Sequence, residues 1–193
     1  RLAAILAADV VGYSSLMERD EDRTLVRLKA HRQEFIEPLI AEYQGRIVKL
    51  MGDGALVEFG SAVDAVECAV AIQNGIAGRE AAEPEERRIR CRIGINIGDI
   101  VLEGGDILGD GVKCRGAPGR AGRAGGNVWN QVKGKLDLGF EPMGEHKVKN
   151  IAELVTVYRV LPGRSGSNSA PRIQWNAWRT STSQLRLNVS QVW

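Results

Sequence analysis

At 193 residues and a net charge of +2, the chain is long enough for one ordinary core, and its basic residues are spread along it, which argues against bulk nucleic-acid binding. Hydrophobic content of 44% and charged content of 26% are those of a globular domain. The longest apolar run, Leu2 to Val11, is too short to span a bilayer and lacks the basic start and cleavage site of a signal peptide. Cys68, Cys91 and Cys114 lie far apart with no zinc spacing, which points to a reducing, cytoplasmic compartment.

Leu2 to Ala8 reads as a buried strand that ends at Asp9. The acidic stretch Asp20 to Thr24 then starts a helix whose core face is Leu25, Leu28, Phe35, Ile36, Leu39 and Tyr43. Pro38 is expected to kink or divide that helix, and Gly45 to stop it. Ile47 to Met51 and Ala55 to Phe59 flank Gly52-Asp53-Gly54 as a hairpin. Ser61 and Asp64 resemble a capping box before a helix built on Val63, Val66 and Val70. Glu80 to Arg88 is a charged connector, and Ile89 to Ile97 alternates as a clear strand, with a further strand at Ile100 to Leu102.

This order, strand, helix, hairpin, helix, strand, is the α+β pattern of a ferredoxin-like antiparallel sheet with helices on one face, here with extensions. Lys113 to Gly126 breaks it: the segment is rich in Gly and Arg, and each glycine costs a helix about 1 kcal/mol relative to alanine. Patterning resumes with a short helix through Val128, Trp129, Val132 and Leu136, then closing strands at Phe140, Val148 and Val155 to Val160. We read residues 1–161 as one catalytic-type domain, atypical over 113–127, and 162–193 as a loosely ordered tail.

Two carboxylates, Asp9 and Asp53, stand at the ends of apolar strands. Brought together they repel, and a divalent cation relieves that repulsion, so the pair points to metal-assisted phosphate chemistry. Ala8 to Ser14, Lys49 to Asp53, Arg92 to Gly98 and Asp106 to Val112 together resemble the catalytic domain of class III nucleotidyl cyclases. The likeness covers Leu2 to Val112 and resumes over Val128 to Val160; its weight lies in four motifs in the right order.

The resemblance implies a head-to-tail homodimer with active sites at the subunit interface, or a heterodimer with an intact cyclase chain. It implies two Mg2+ or Mn2+ ions per site on Asp9 and Asp53, with the Val10 carbonyl assisting and the Val11, Gly12, Tyr13 and Ser14 amides cradling phosphates. The metals would activate the ribose 3′-hydroxyl and stabilise the leaving pyrophosphate. It also implies that Lys49 donates to adenine N1 and that Asp106 accepts from the adenine amino group. Guanine presents N1–H and O6 there, so this pair favours ATP.

The family pattern continues as Asn-x-x-x-Arg, where this chain has Lys113 and Ala117. Losing such a charge stabiliser costs on the order of 100- to 1000-fold in rate. A phosphate-contacting lysine that some members carry is also replaced: Lys149 matches the first lysine of that segment, but Ile151 stands at the second. The Arg, Gly, Ala and Pro run has the composition of GC-rich codons read out of frame; if no single-base shifts in the coding DNA restore Asn-x-x-x-Arg, that origin is wrong. The expected function is therefore an adenylate cyclase of reduced activity that makes cyclic AMP. The alternative is a non-catalytic module that dimerises and binds nucleotide. An RNA-binding domain on a similar sheet is disfavoured, because its aromatic-rich strand motif is missing.

Overall fold

The computed structural model describes residues 2–99, 101–103, 106–108, 128–147, 154–161 and 187–189. Strand β1 (Leu2–Val10) runs into two short helices, α1 (Tyr13–Arg19) and α2 (Glu21–His31). Asp20 caps α2, its side chain accepting the Arg23 N–H at 3.2 Å. A π-helical turn, Arg32–Ile36, then separates α2 from α3 (Glu37–Glu42), whose first turn holds Pro38. Proline has no N–H to donate, so it divides the helix where the sequence predicts.

Gly45 behaves differently from its expected role as the helix stop. Gln44 takes the left-handed turn, at φ 57°, and Gly45 opens β2 (Gly45–Met51). A Cβ on Gly45 would lie 2.6 Å from the Phe59 ring, so close packing rather than turn geometry demands the glycine.

β2 and β3 (Gly54–Phe59) form the expected hairpin, and Ser61 caps α4 (Ala62–Arg79) through the Val63 and Asp64 amides. β4 (Cys91–Asp99) follows, and β1 lies between β3 and β4, antiparallel to both. The spatial order β2-β3-β1-β4 with these crossovers is the ferredoxin-like arrangement. Ala4, Leu6, Val57, Phe59, Ile93 and Ile95 face the helix layer and pack on α4, which seals the main core.

β5 (Val101–Glu103) and β6 (Asp106–Leu108) make a separate two-stranded hairpin. Helix α5 (Val128–Val132) buries Val128 and Val132 on the main core. β7 (Gly139–Lys147) pairs with β8 (Leu154–Leu161). From the tail, Leu187–Val189 forms β9, parallel to β4 and antiparallel to β8, which joins all seven strands into one sheet. No helix among the described residues is long and apolar enough to cross a membrane.

Candidate active site

Register decides which side chains share a face of the sheet. Along β1, Ala4, Leu6 and Ala8 face the helices, so Ile5, Ala7 and Asp9 face the opposite side. Asp9 is opposed by Gly54 on β3 and by Arg92 on β4. A Cβ on Gly54 would meet the Ala8 carbonyl oxygen at 2.5 Å; only glycine lets β3 come this close to the end of β1. That approach carries the hairpin turn to Asp9, and the Val10 N–H donates to the Asp53 carbonyl at 3.1 Å. The two aspartates and the Val10 backbone, scattered in sequence, therefore stand together.

The Arg92 guanidinium forks onto Asp9, Nε to Oδ1 at 3.1 Å and Nη2 to Oδ2 at 2.8 Å. Burial pushes the Asp9 carboxyl above its ordinary range; Arg92 pulls it back, and the charge of Asp53 adds to the rise. The Asp9 carboxylate with the Asp53 charge beside it forms a hard-oxygen donor set suited to a divalent cation. Among the described residues no group of three or more His, Cys, Asp or Glu is placed to hold a metal ion. A pair of carboxylates fits a cation such as Mg2+, which takes one or two carboxylates and completes its shell with water and phosphate. Burial, aided by Asp9 and Glu80, raises the nearby Cys91 thiol to about 12, which leaves it protonated at neutral pH.

A cleft of about 290 Å³ lies between the helix layer and the sheet, walled by Leu28, Ile36, Ile40, Leu50 and Ile72. Asp9 and Asp53 are among its lining residues, although the Asp9 side chain belongs to the opposite sheet face. Val11 and Gly12 follow β1, and Gly12, at φ 67°, turns the chain into α1 without a side-chain cap. The Val11 N–H is committed to the Arg90 carbonyl at 2.8 Å. Tyr13 packs against Val10, Leu16 and Ile89, and Ser14 is exposed.

Lys49 lies exposed on β2 and does not line the cleft. Its register partner is Leu56, itself opposite Ala7, so Lys49 shares the sheet face of Asp9 two strands away. Asp106 opens β6, opposite Glu103, in a hairpin that lies against β2. Lys113, Ala117, Lys149 and Ile151 lie outside the described residues.

Sequence reading quoted Arg92 within a motif but gave it no role. The signal was available: Arg92 falls on the polar face of the alternating strand from Ile89 to Ile97. Glu80, a glutamate in a charged connector, reads from sequence as solvated, yet it is only 2% exposed.

No family model matches the chain. Over 167 residues it is 47% identical to the Rhizobium meliloti (strain 1021) protein named "Putative adenylate cyclase 3", covering 84% of this chain and 28% of that relative. The chain therefore spans less than a third of that protein's length. The solved adenylate/guanylate cyclase/hydrolase of Silicibacter pomeroyi is 41% identical, with a TM-score of 0.71, over 84% of this chain and 97% of that one. The adenylyl cyclase CyaB of P. aeruginosa shares the fold at 18% identity and a TM-score of 0.65, over 85% and 95% of the two chains. On the strand-end aspartates, the ferredoxin-like sheet and these likenesses, the chain belongs to the class III adenylate/guanylate cyclase catalytic-domain family.

Proposed function

We propose that this chain is an adenylate cyclase catalytic domain that converts ATP to 3′,5′-cyclic AMP and pyrophosphate. The observation that carries the reading is the convergence of Asp9, Asp53 and Arg92 at one end of β1, beside an open cleft. Asp9, Asp53 and the Val10 carbonyl would hold divalent metal. When bound, two such ions supply activation of the ribose 3′-hydroxyl and charge neutralisation on the leaving pyrophosphate.

The residues of the chain do the rest. Arg92 holds the Asp9 carboxylate oriented through its two-pronged contact. The backbone from Gly12 to Ser14, at an α1 start with no side-chain cap, offers N–H groups to phosphate oxygens. Lys49 donates to adenine N1 and Asp106 accepts from its amino group, a pairing that guanine mismatches. Lys49 lies outside the cleft bounded by its own chain's aspartates. In this reading a head-to-tail dimer brings Lys49 and Asp106 to the base in the partner's site.

Turnover is slow in this reading, because Lys113 and Ala117 stand where the family pattern has Asn and Arg. The loss is on the order of 100- to 1000-fold. The same two residues favour a second reading, a dimerising module that binds nucleotide without turnover. The discriminating assay measures cyclic AMP from ATP and Mn2+, with Asp53→Ala as background and GTP as the competing substrate. Product above background, greater with ATP than with GTP, is expected. Product at the Asp53→Ala level eliminates the enzyme reading.

A further inference from the structure

Arg19, Arg23, Arg27 and His31 recur every four residues and form one basic stripe along α1 and α2. The stripe docks on the connector after α4. Arg19 Nη1 donates to the Glu86 carbonyl at 3.1 Å, and Arg23 Nη2 meets Glu83 Oε1 at 2.7 Å. Arg27 pairs with Glu80 Oε2 and donates to the Arg87 carbonyl at 3.2 Å. His31 Nε2 lies 2.5 Å from Glu80 Oε1.

Glu80 is the hub, since its Oε2 also accepts the Ile89 N–H at 2.8 Å. A buried carboxylate needs several donors to stay ionised, and Glu80 collects them from α2 and from the approach to β4. What lies just beyond Ile89 is the candidate site. The Arg90 carbonyl accepts the Val11 N–H at 2.8 Å, and Arg92 forks onto Asp9. A continuous run of hydrogen bonds and four residues of backbone thus connects the α2 stripe to the aspartate.

We propose that Glu80, clamped by Arg27 and His31, is a positioning residue for the Asp9 site: by fixing Ile89 it sets how Arg90 and Arg92 meet β1. It touches neither nucleotide nor metal. The proposal rests on the cyclase reading for its functional meaning, while its structural content stands independently.

Nitrogen-15 NMR on the full chain tests it, reading exchange of the Val11 amide and the Arg92 Nε resonance. Both lie beyond the direct contacts of Glu80. Glu80→Gln is expected to speed Val11 exchange at least tenfold and to move the Arg92 Nε signal. Arg23→Ala, which removes an outer rung of the same stripe, is expected to change neither. If Glu80→Gln does not fold, His31→Ala carries the same expectation. His31→Gln, whose Nε2 keeps a donor toward Glu80, is expected to stay within twofold of the parent chain. Unchanged Val11 exchange and an unmoved Arg92 signal in a folded Glu80→Gln or His31→Ala overturn the proposal. Cyclic AMP formation is measured separately, so an inactive parent chain that still shows these shifts sinks the cyclase reading and leaves the positioning role standing.

Discussion

Asp9 illustrates how a partly buried carboxylate costs a fold stability. The Asp9 carboxyl sits above its ordinary range through burial, with Asp53 adding to the rise. A carboxyl raised on folding contributes stability that is full below its unfolded pKa and lost as pH rises through the folded value. At neutral pH without metal, ionised Asp9 therefore works against the folded state, and the neighbouring Asp53 charge adds to that cost. Asp53→Asn should raise the Tm of the EDTA-treated chain by roughly 1–4 °C, since half-exposed charges couple by about 1 kcal/mol or less. The same variant should lose the Tm increase that Mn2+ gives the parent chain. Glu80 has the opposite sign. Burial is the largest single influence and opposes its ionisation, but His31, the Ile89 amide and Arg27 together hold its carboxyl below the ordinary 4.5. Its stabilisation is present above about 4.5 and lost as pH falls through the folded value. Urea unfolding should show Glu80→Gln less stable by about 3 kcal/mol at pH 7. The gap to the parent should narrow as acid protonates Glu80.

Among the elements, the join between α2 and α3 packs closely against α4. The π-helical turn places Phe35 against α4, where a Cβ on Gly75 would fall 2.0 Å from the ring tip and under 3.0 Å from two further ring atoms. Arg79 sits over the same ring, 4.8 Å from its centroid, which limits how far the phenyl can withdraw. Two effects oppose each other in Gly75→Ala. Alanine gains about 1 kcal/mol of helix propensity, whereas overpacking costs about 1–3 kcal/mol. With the ring hemmed in, the steric term wins, and chemical denaturation should show a net loss of about 1 kcal/mol. Adding Phe35→Leu should recover part of it, a coupling that a double-mutant cycle measures.

For the whole molecule, the prediction concerns assembly. If Lys49 and Asp106 serve the partner's aspartates, Asp53→Ala and Lys49→Ala chains damage different halves of a shared site. Mixed in equal amounts they form about one-half heterodimers by random pairing, and each heterodimer has one of two sites intact. Activity should return to about one quarter of the parent level, read as cyclic AMP from the mixture against each variant alone. No recovery, with dimers confirmed by sedimentation, removes the interface assignment for Lys49.

The amino-acid sequence by itself determined the α+β class, the element order and the two strand-end aspartates, because these are written in local periodicity and turn chemistry. The alternation from Ile89 to Ile97 and the glycines around Asp53 are legible without any tertiary contact. It also carried the family likeness, through four short motifs in order. What only the tertiary structure decided was which distant groups meet. That Gly54 exists to let β3 reach the Ala8 carbonyl, that Arg92 forks onto Asp9, and that Glu80 is a buried hub all depend on register and burial between segments tens of residues apart. Local patterning records whether a residue favours water; it does not record which partner makes a charge tolerable inside.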